Sequence, residues 1–184
     1  MHRSDPNEVD IMAIAGATSR LCRFTGHLKD GIELYSVAEH SIYVSHILEM
    51  MGCPASVQFQ GLMHDASEAY LADIAAPFKG EIGNYYATEN KIMDRVKERF
   101  LLPAQLDSRV KVADWYALFC EARQILSDLD ERELATWQGY ETYGEDSQEF
   151  MLGVNCWLPS MARIQFLARF AELQDAMLDA PEHG

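Results

Sequence analysis

Apolar residues recur at helical spacing along most of this chain, and no run alternates apolar with polar residues for long enough to build a sheet. That contrast confines the fold to helix packed on helix. The helices also carry their own punctuation. "DPNE" at 5–8 offers Asp5 as N-cap, Pro6 in the first turn and Glu8 three residues after the cap, ahead of Val9, Met12, Ala13 and Ala17. "SVAE" at 36–39 is a second capping box, opening a helix over 36–51 striped by Val37, Val44, Ile47, Leu48 and Met51. "GCP" at 52–54 ends it and starts a third helix over 55–70. "YYATENKIMDRVKERF" puts Ile92, Val96 and Phe100 on one face, and "DSRVKVADWYALFCEARQIL" continues through Val110, Ala113 and Ala117. The last long helix is expected from Pro159 to Leu178, after a polar, Gly-punctuated stretch over 128–157 with short helices at most.

No repeat, low-complexity tract or linker divides the chain, and 184 residues suffice for one sizeable core. A single all-α domain over 1–184 is expected, its motif-bearing part over about 20–123 and the helices of 128–178 completing the bundle. No apolar run approaches the roughly 20 residues that span a bilayer. The opening residues meet Asp5, Glu8 and Asp10 before any long apolar stretch, so a secretory signal is not expected and a cytoplasmic location is. Cys22, Cys53, Cys120 and Cys156 are scattered without a CxxC pair, as reduced packing residues rather than a zinc ribbon or disulfide framework. A formal charge of −14 repels a phosphate backbone, which argues against nucleic-acid polymers and asks any small anionic substrate to find a dedicated local site.

"GLMHDASEAY" at 61–70 sets His64, Asp65 and Glu68 in an otherwise apolar helix. Ionisable groups there must be paired, hydrogen-bonded or bound to something. His40, among Val37, Ala38 and Val44, and Asp114, within "VKVADWYALF", are further polar residues in apolar surroundings. His40, His64, Asp65 and Asp114 together would supply two nitrogens and at least two oxygens from three helices, leaving positions for water or substrate. Each alone has an ordinary explanation as a packed histidine or hydrogen-bonded carboxylate; the combination is what points to a metal.

The order H…HD…D, with "YSVAEHS" before "GLMHDASEAYLADI" and "VKVAD" after it, resembles the HD-domain metal-dependent phosphohydrolase superfamily. More narrowly it is similar to the bacterial and phage branch of 5′-deoxynucleotidases and dATP triphosphohydrolases, from about Arg20 to Arg123. The resemblance implies an HD-type helical bundle and a divalent ion (Co, Mn, Zn, Mg, Fe or Ni) on His40, His64, Asp65 and Asp114. It implies catalytic roles for Glu68 and Asp73, matching a glutamate three residues and an acid eight residues after the HD pair. It also matches Arg23 and Phe24 of "LCRFTGHL" to an arginine–aromatic pair that contacts phosphate and base, although relatives often carry tryptophan at the Phe24 position. Lys79, and Lys111 one turn before Asp114, are the best remaining cations, and Pro77 with Phe78 could wall a base pocket.

The resulting expectation is metal-dependent hydrolysis of 2′-deoxynucleotides. The substrate is either a dNTP, with a leaning to dATP and release of triphosphate, or a dNMP handled by a 5′-deoxynucleotidase. An HD phosphodiesterase of a cyclic or signalling nucleotide, or a catalytically silent nucleotide-binding regulator, is the alternative. The expected partner is a small nucleotide rather than a membrane, and a homo-oligomer is expected.

Overall fold

The computed structural model describes residues 9–74, 79–127 and 129–179. They form an all-α body of α1 (Ile11–Thr18), α2 (Val37–Met50), α3 (Ala55–Met63), α4 (Glu68–Leu71), α5 (Tyr85–Phe100), α6 (Ser108–Ile125), α7 (Glu131–Leu134) and α8 (Pro159–Leu178). Short 3₁₀ turns at Arg23–Gly26 and Asp146–Phe150 and a π turn at Tyr140–Gly144 complete it. Among the described residues there is no strand, only an isolated antiparallel bridge between Cys22 and Ser36. No helix among them is long and apolar enough to cross a membrane.

Helix α2 is the axis, buried on almost every side and packed against α3, α6 and α8. Ser36 caps it, its hydroxyl accepting from the Glu39 N–H at 3.2 Å. The expected box closes only by half. The buried Glu39 side chain instead accepts from the backbone N–H groups of Asn155, Cys156 and Trp157 at 2.6, 3.0 and 2.9 Å, pinning the loop before α8. At the other end Gly52, with φ +71°, and Cys53 donate to Glu49 and Leu48 carbonyls at 2.9 and 3.0 Å, a Schellman stop that sends the chain back as α3.

The return crossing is close. A Cβ on Gly61 would overlap Leu48 Cδ1 and lie 3.3 Å from Val44 Cγ1, so a residue without one lets α3 sit directly on α2. Ile42, Phe59, Leu62, Phe166 and Phe170 fill the core between α2, α3 and α8, while Val44, Leu48, Val57, Val110 and Ala117 fill the core towards α6. Arg169 of α8 ties the helices together from 4% exposure, donating to Ser45 Oγ at 3.0 Å, Glu49 at 2.9 Å and Gln58 at 2.8 Å.

One expectation lies outside the described residues and another needs correction. The box at 5–8 is the first; within the described residues α1 is capped by Asp10, whose carboxylate accepts from Ala13 N–H at 3.0 Å. The third helix does not run to 70. It stops at Met63; residues 64–67 form turns, with Ala66 and Glu68 N–H donating three residues back to Met63 and Asp65, before the chain resumes as α4 at Glu68. An unbroken α-helix would have stacked Glu68 on His64; the break changes that register. A chain segment rich in alanine gave no warning of this break.

Candidate metal centre

His40 enters from the first turn of α2, His64 caps α3, Asp65 begins the turns that follow, and Asp114 lies in the second turn of α6. Their functional atoms converge. His40 Nε2 is 3.6 Å from Asp65 Oδ2 and 3.3 Å from Asp114 Oδ1; His64 Nε2 is 3.2 Å from Asp65 Oδ2 and 3.8 Å from Asp114 Oδ1. His40, His64 and Asp65 each offer a ligand atom within 4.8 Å of the others. Ligands about 2.1 Å from one shared ion stand roughly 3.0–3.4 Å apart. The 3.2 and 3.3 Å spacings fall in that range, and the 3.6 and 3.8 Å ones would close by a few tenths of an ångström on a common divalent cation.

The imidazoles are prepared for such a role. His40 Nδ1 lies 2.6 Å from Glu121 Oε1, and His64 Nδ1 lies 2.7 Å from the Gly61 carbonyl. An acceptor at each Nδ1 places the N–H there and leaves the lone pair on Nε2. Both Nε2 atoms are buried and neither makes a hydrogen bond, despite the carboxylates nearby. Buried ring nitrogens without partners need an explanation, and two of them beside two carboxylates fit an N₂O₂ set for a borderline divalent metal.

The charges reinforce one another. Burial disfavours protonated His64, but Asp65 and Asp114 outweigh it and raise the imidazole well above 6.5. Burial and Arg23 oppose His40 in the same way and are outweighed by Glu121 and Asp114. Burial likewise opposes ionised Asp65 and Asp114, yet the facing imidazoles hold both carboxyls below their ordinary range. A divalent cation would substitute for the two imidazolium protons.

Glu68 lies beside this set, 3% exposed, with Oε1 3.4 Å from Lys79 Nζ and Oε2 without a partner. Burial, reinforced by Asp65 and Asp73, pushes its carboxyl up to about 9. Asp73 follows Ala72, whose φ of +77° is strained for a residue with a Cβ, and burial also raises its carboxyl while the Arg23 charge opposes. Arg23 NH1 is 3.8 Å from Asp65 Oδ2, and its side chain is 12% exposed. It sits on a turn where Phe24 and Thr25 take φ +53° and +51°. Such backbone is costly for Phe and more so for β-branched Thr, and it marks the segment as held in place by its surroundings.

The remaining expected residues are less central. Phe24 is half-buried with the Arg23 guanidinium 5.4 Å over its ring. Lys79 is held between Glu68 and Glu89, the latter at 3.0 Å. Lys111 is 68% exposed and pairs with Asp114 Oδ2 at 2.7 Å, so it sits at the rim neutralising a candidate ligand. Pro77 and Phe78 lie outside the described residues.

Sequence reasoning passed over Glu121. It is fully buried, accepts from Tyr35 Oη at 2.9 Å, and faces both His40 and Arg23. Its spacing held a signal: seven residues after Asp114 returns to the same helical face, where an acid amid "LFCEA" has no apolar reason to be.

No protein-family model matches the chain. The uncharacterized protein YfdR of Escherichia coli K12 is 35% identical over 169 residues, which is 92% of this chain and 86% of YfdR. An uncharacterized protein of Rhodobacter capsulatus is 32% identical over 127 residues, 65% of this chain and 64% of that protein.

Proposed function

The chain belongs to the family of YfdR, and we propose that it is a divalent-metal-dependent phosphohydrolase of 2′-deoxynucleotides with an HD-type centre. The observation that carries the reading is the pair of buried, unbonded Nε2 atoms converging on two carboxylates, with a buried glutamate and arginine beside them. A divalent ion held by His40, His64, Asp65 and Asp114 would polarise a phosphoryl oxygen and lower the pKa of water.

The chain's own groups divide the rest of the work. Arg23 presents a largely buried guanidinium whose planar fork matches phosphate oxygens. Glu68 has one carboxylate oxygen anchored by Lys79 and the other free to orient and deprotonate water. Its upward shift reflects burial beside Asp65 and Asp73; a dication at Asp65 opposes that shift and favours the carboxylate form a base needs. Asp73 adds a second acceptor on the same side.

Charge balance favours the monophosphate over the triphosphate. Among the described residues Lys79 is bracketed by Glu68 and Glu89, Lys111 is paired with Asp114, and Arg23 is shared with Glu121 and Asp65. A phosphomonoester can be met by one guanidinium and a dication. A triphosphate would bring two further charges into acidic surroundings. The deoxyribose preference and the stacking of a purine such as adenine on Phe24 rest on the resemblance in the motifs, and stacking alone tolerates any base at about 1–3 kcal/mol.

The test is phosphate and triphosphate release from dNMP, dNTP, NMP and cyclic-nucleotide panels, after EDTA treatment and after reloading with Mn²⁺, Co²⁺, Mg²⁺ or Zn²⁺. Metal-restored phosphate release from dNMPs is expected. Release unaffected by chelation, or no turnover of any member with any metal, would overturn the reading.

A further inference from the structure

We propose that Glu121 is a positioning residue through which divalent-metal binding and phosphate binding share one buried carboxylate. The inference rests on the metal-centre reading above and adds to it a residue that no motif marked.

Glu121 faces three donors from three parts of the chain. Oε1 takes the Nδ1 proton of His40 at 2.6 Å and the hydroxyl of Tyr35 at 2.9 Å; Oε2 lies 3.3 Å from Arg23 Nε. Asp114 and Glu121 share the inward face of α6, two turns apart, so one rigid helix carries both a candidate ligand and the group that aims another ligand. On the His40 side a carboxylate at Nδ1 selects the tautomer with its lone pair on Nε2 and raises its basicity. On the Arg23 side it faces Nε while NH1 is turned towards Asp65, on a turn whose backbone is itself strained. A phosphate reaching that guanidinium meets a group already ordered, and the cost of ordering it does not fall on binding.

A fully buried carboxylate is expensive when its partners are merely structural. Tyr35 alone would be served by a neutral acceptor. The ionised group is needed where imidazole basicity and guanidinium orientation are set together.

The experiment titrates EDTA-stripped protein with Mn²⁺, and Mn²⁺-saturated protein with inorganic phosphate, by calorimetry, in wild type, Glu121→Gln and Tyr35→Phe. Glu121→Gln is expected to weaken Mn²⁺ binding by about 10- to 100-fold, the usual loss when a ligand's outer partner is removed, and to weaken phosphate binding as well. Tyr35→Phe removes a hydrogen bond to the same oxygen; it is expected to lower the melting temperature while leaving Mn²⁺ affinity within about threefold, well short of that outer-partner loss. If the glutamine variant does not fold by circular dichroism, Glu121→Asp keeps the charge but is one methylene too short to reach both partners, and it should show the same double loss. Wild type that fails to bind Mn²⁺ would defeat the metal-centre reading itself. Wild type that binds while the Glu121 variant binds equally well would overturn only the present inference, as would weakened metal binding with unchanged phosphate affinity.

Discussion

Replacing Glu68 by glutamine removes a charge that the metal-stripped fold must suppress. The carboxyl moves from about 4.5 in the unfolded chain to about 9 in the fold, through burial next to Asp65 and Asp73. The folded protein therefore holds a proton that the unfolded chain gives up, and stability falls as pH rises from about 4.5 through about 9. One pKa unit is worth about 1.36 kcal/mol, so the burden at pH 7 is about 3 kcal/mol. Glutamine is close to the protonated acid in charge and shape, and Lys79 keeps its pairing with Glu89 at 3.0 Å. Thermal melts in EDTA should show Glu68→Gln matching wild type near pH 4.5 and exceeding it by about 6–12 °C at pH 7, using roughly 2–4 °C per kcal/mol for a chain of this size. The gap should shrink when Mn²⁺ is added, because a dication beside the site favours the carboxylate. Turnover should fall by about 10²-fold or more even so, typical of a lost general base. A pH-independent gap, or a variant less stable than wild type at pH 7, would refute the reasoning.

The histidines add a second pH dependence of the same sign. His40 and His64 are raised above 6.5 in the fold, so their contribution is full below about 6.5 and is lost as pH rises through the folded values. In a Glu68→Gln background, EDTA-treated protein should melt lower at pH 8.5 than at pH 6, and Mn²⁺ should remove the difference; melting that rises with pH would contradict the assigned ion pairs. Arg23→Ala should cut kcat/KM on a dNMP by about 10²-fold, the scale of losing one preorganised electrostatic group, and steady-state kinetics at parity with wild type would exclude the guanidinium from the site. Gly61→Val should force α3 away from α2 at a cost of about 1–3 kcal/mol, measured by urea unfolding. Because the Gly61 carbonyl holds His64 Nδ1, Mn²⁺ affinity should fall with it, and unchanged affinity would show that the crossing does not position His64.

Much of this architecture was legible from periodicity and caps. The Ser36 cap, the Gly52 stop, the helix over 85–100 and the last helix from Pro159 to Leu178 all stand where apolar spacing and turn residues put them. These are local signals, set within one or two turns of chain. The break after Met63 was not legible, because its cause is tertiary: α3 is held on α2 at Gly61, and His64 then bonds back to that residue's carbonyl. His40, His64, Asp65 and Asp114 do converge, as polar residues at apolar positions suggested. What pattern alone could not assign is who holds whom. Glu39 reads as a capping-box acid yet anchors residues 155–157, Lys111 reads as a phosphate cation yet pairs with Asp114, and Glu121, which no motif marked, is sealed beside His40. Two of those outcomes depend on contacts 81 to 118 residues distant in the chain, and the third on a carboxylate three residues away.

Crystals of the protein soaked with Mn²⁺ or Co²⁺, with data collected at the metal's absorption edge, test the central claim most directly. One anomalous peak is expected, bonded at about 2.0–2.3 Å to His40 Nε2, His64 Nε2, Asp65 and Asp114, and absent from His64→Ala crystals treated alike. Crystals that take up no ion there, or bind it elsewhere while the two Nε2 atoms stay unligated, would contradict the metal centre and the hydrolase built on it.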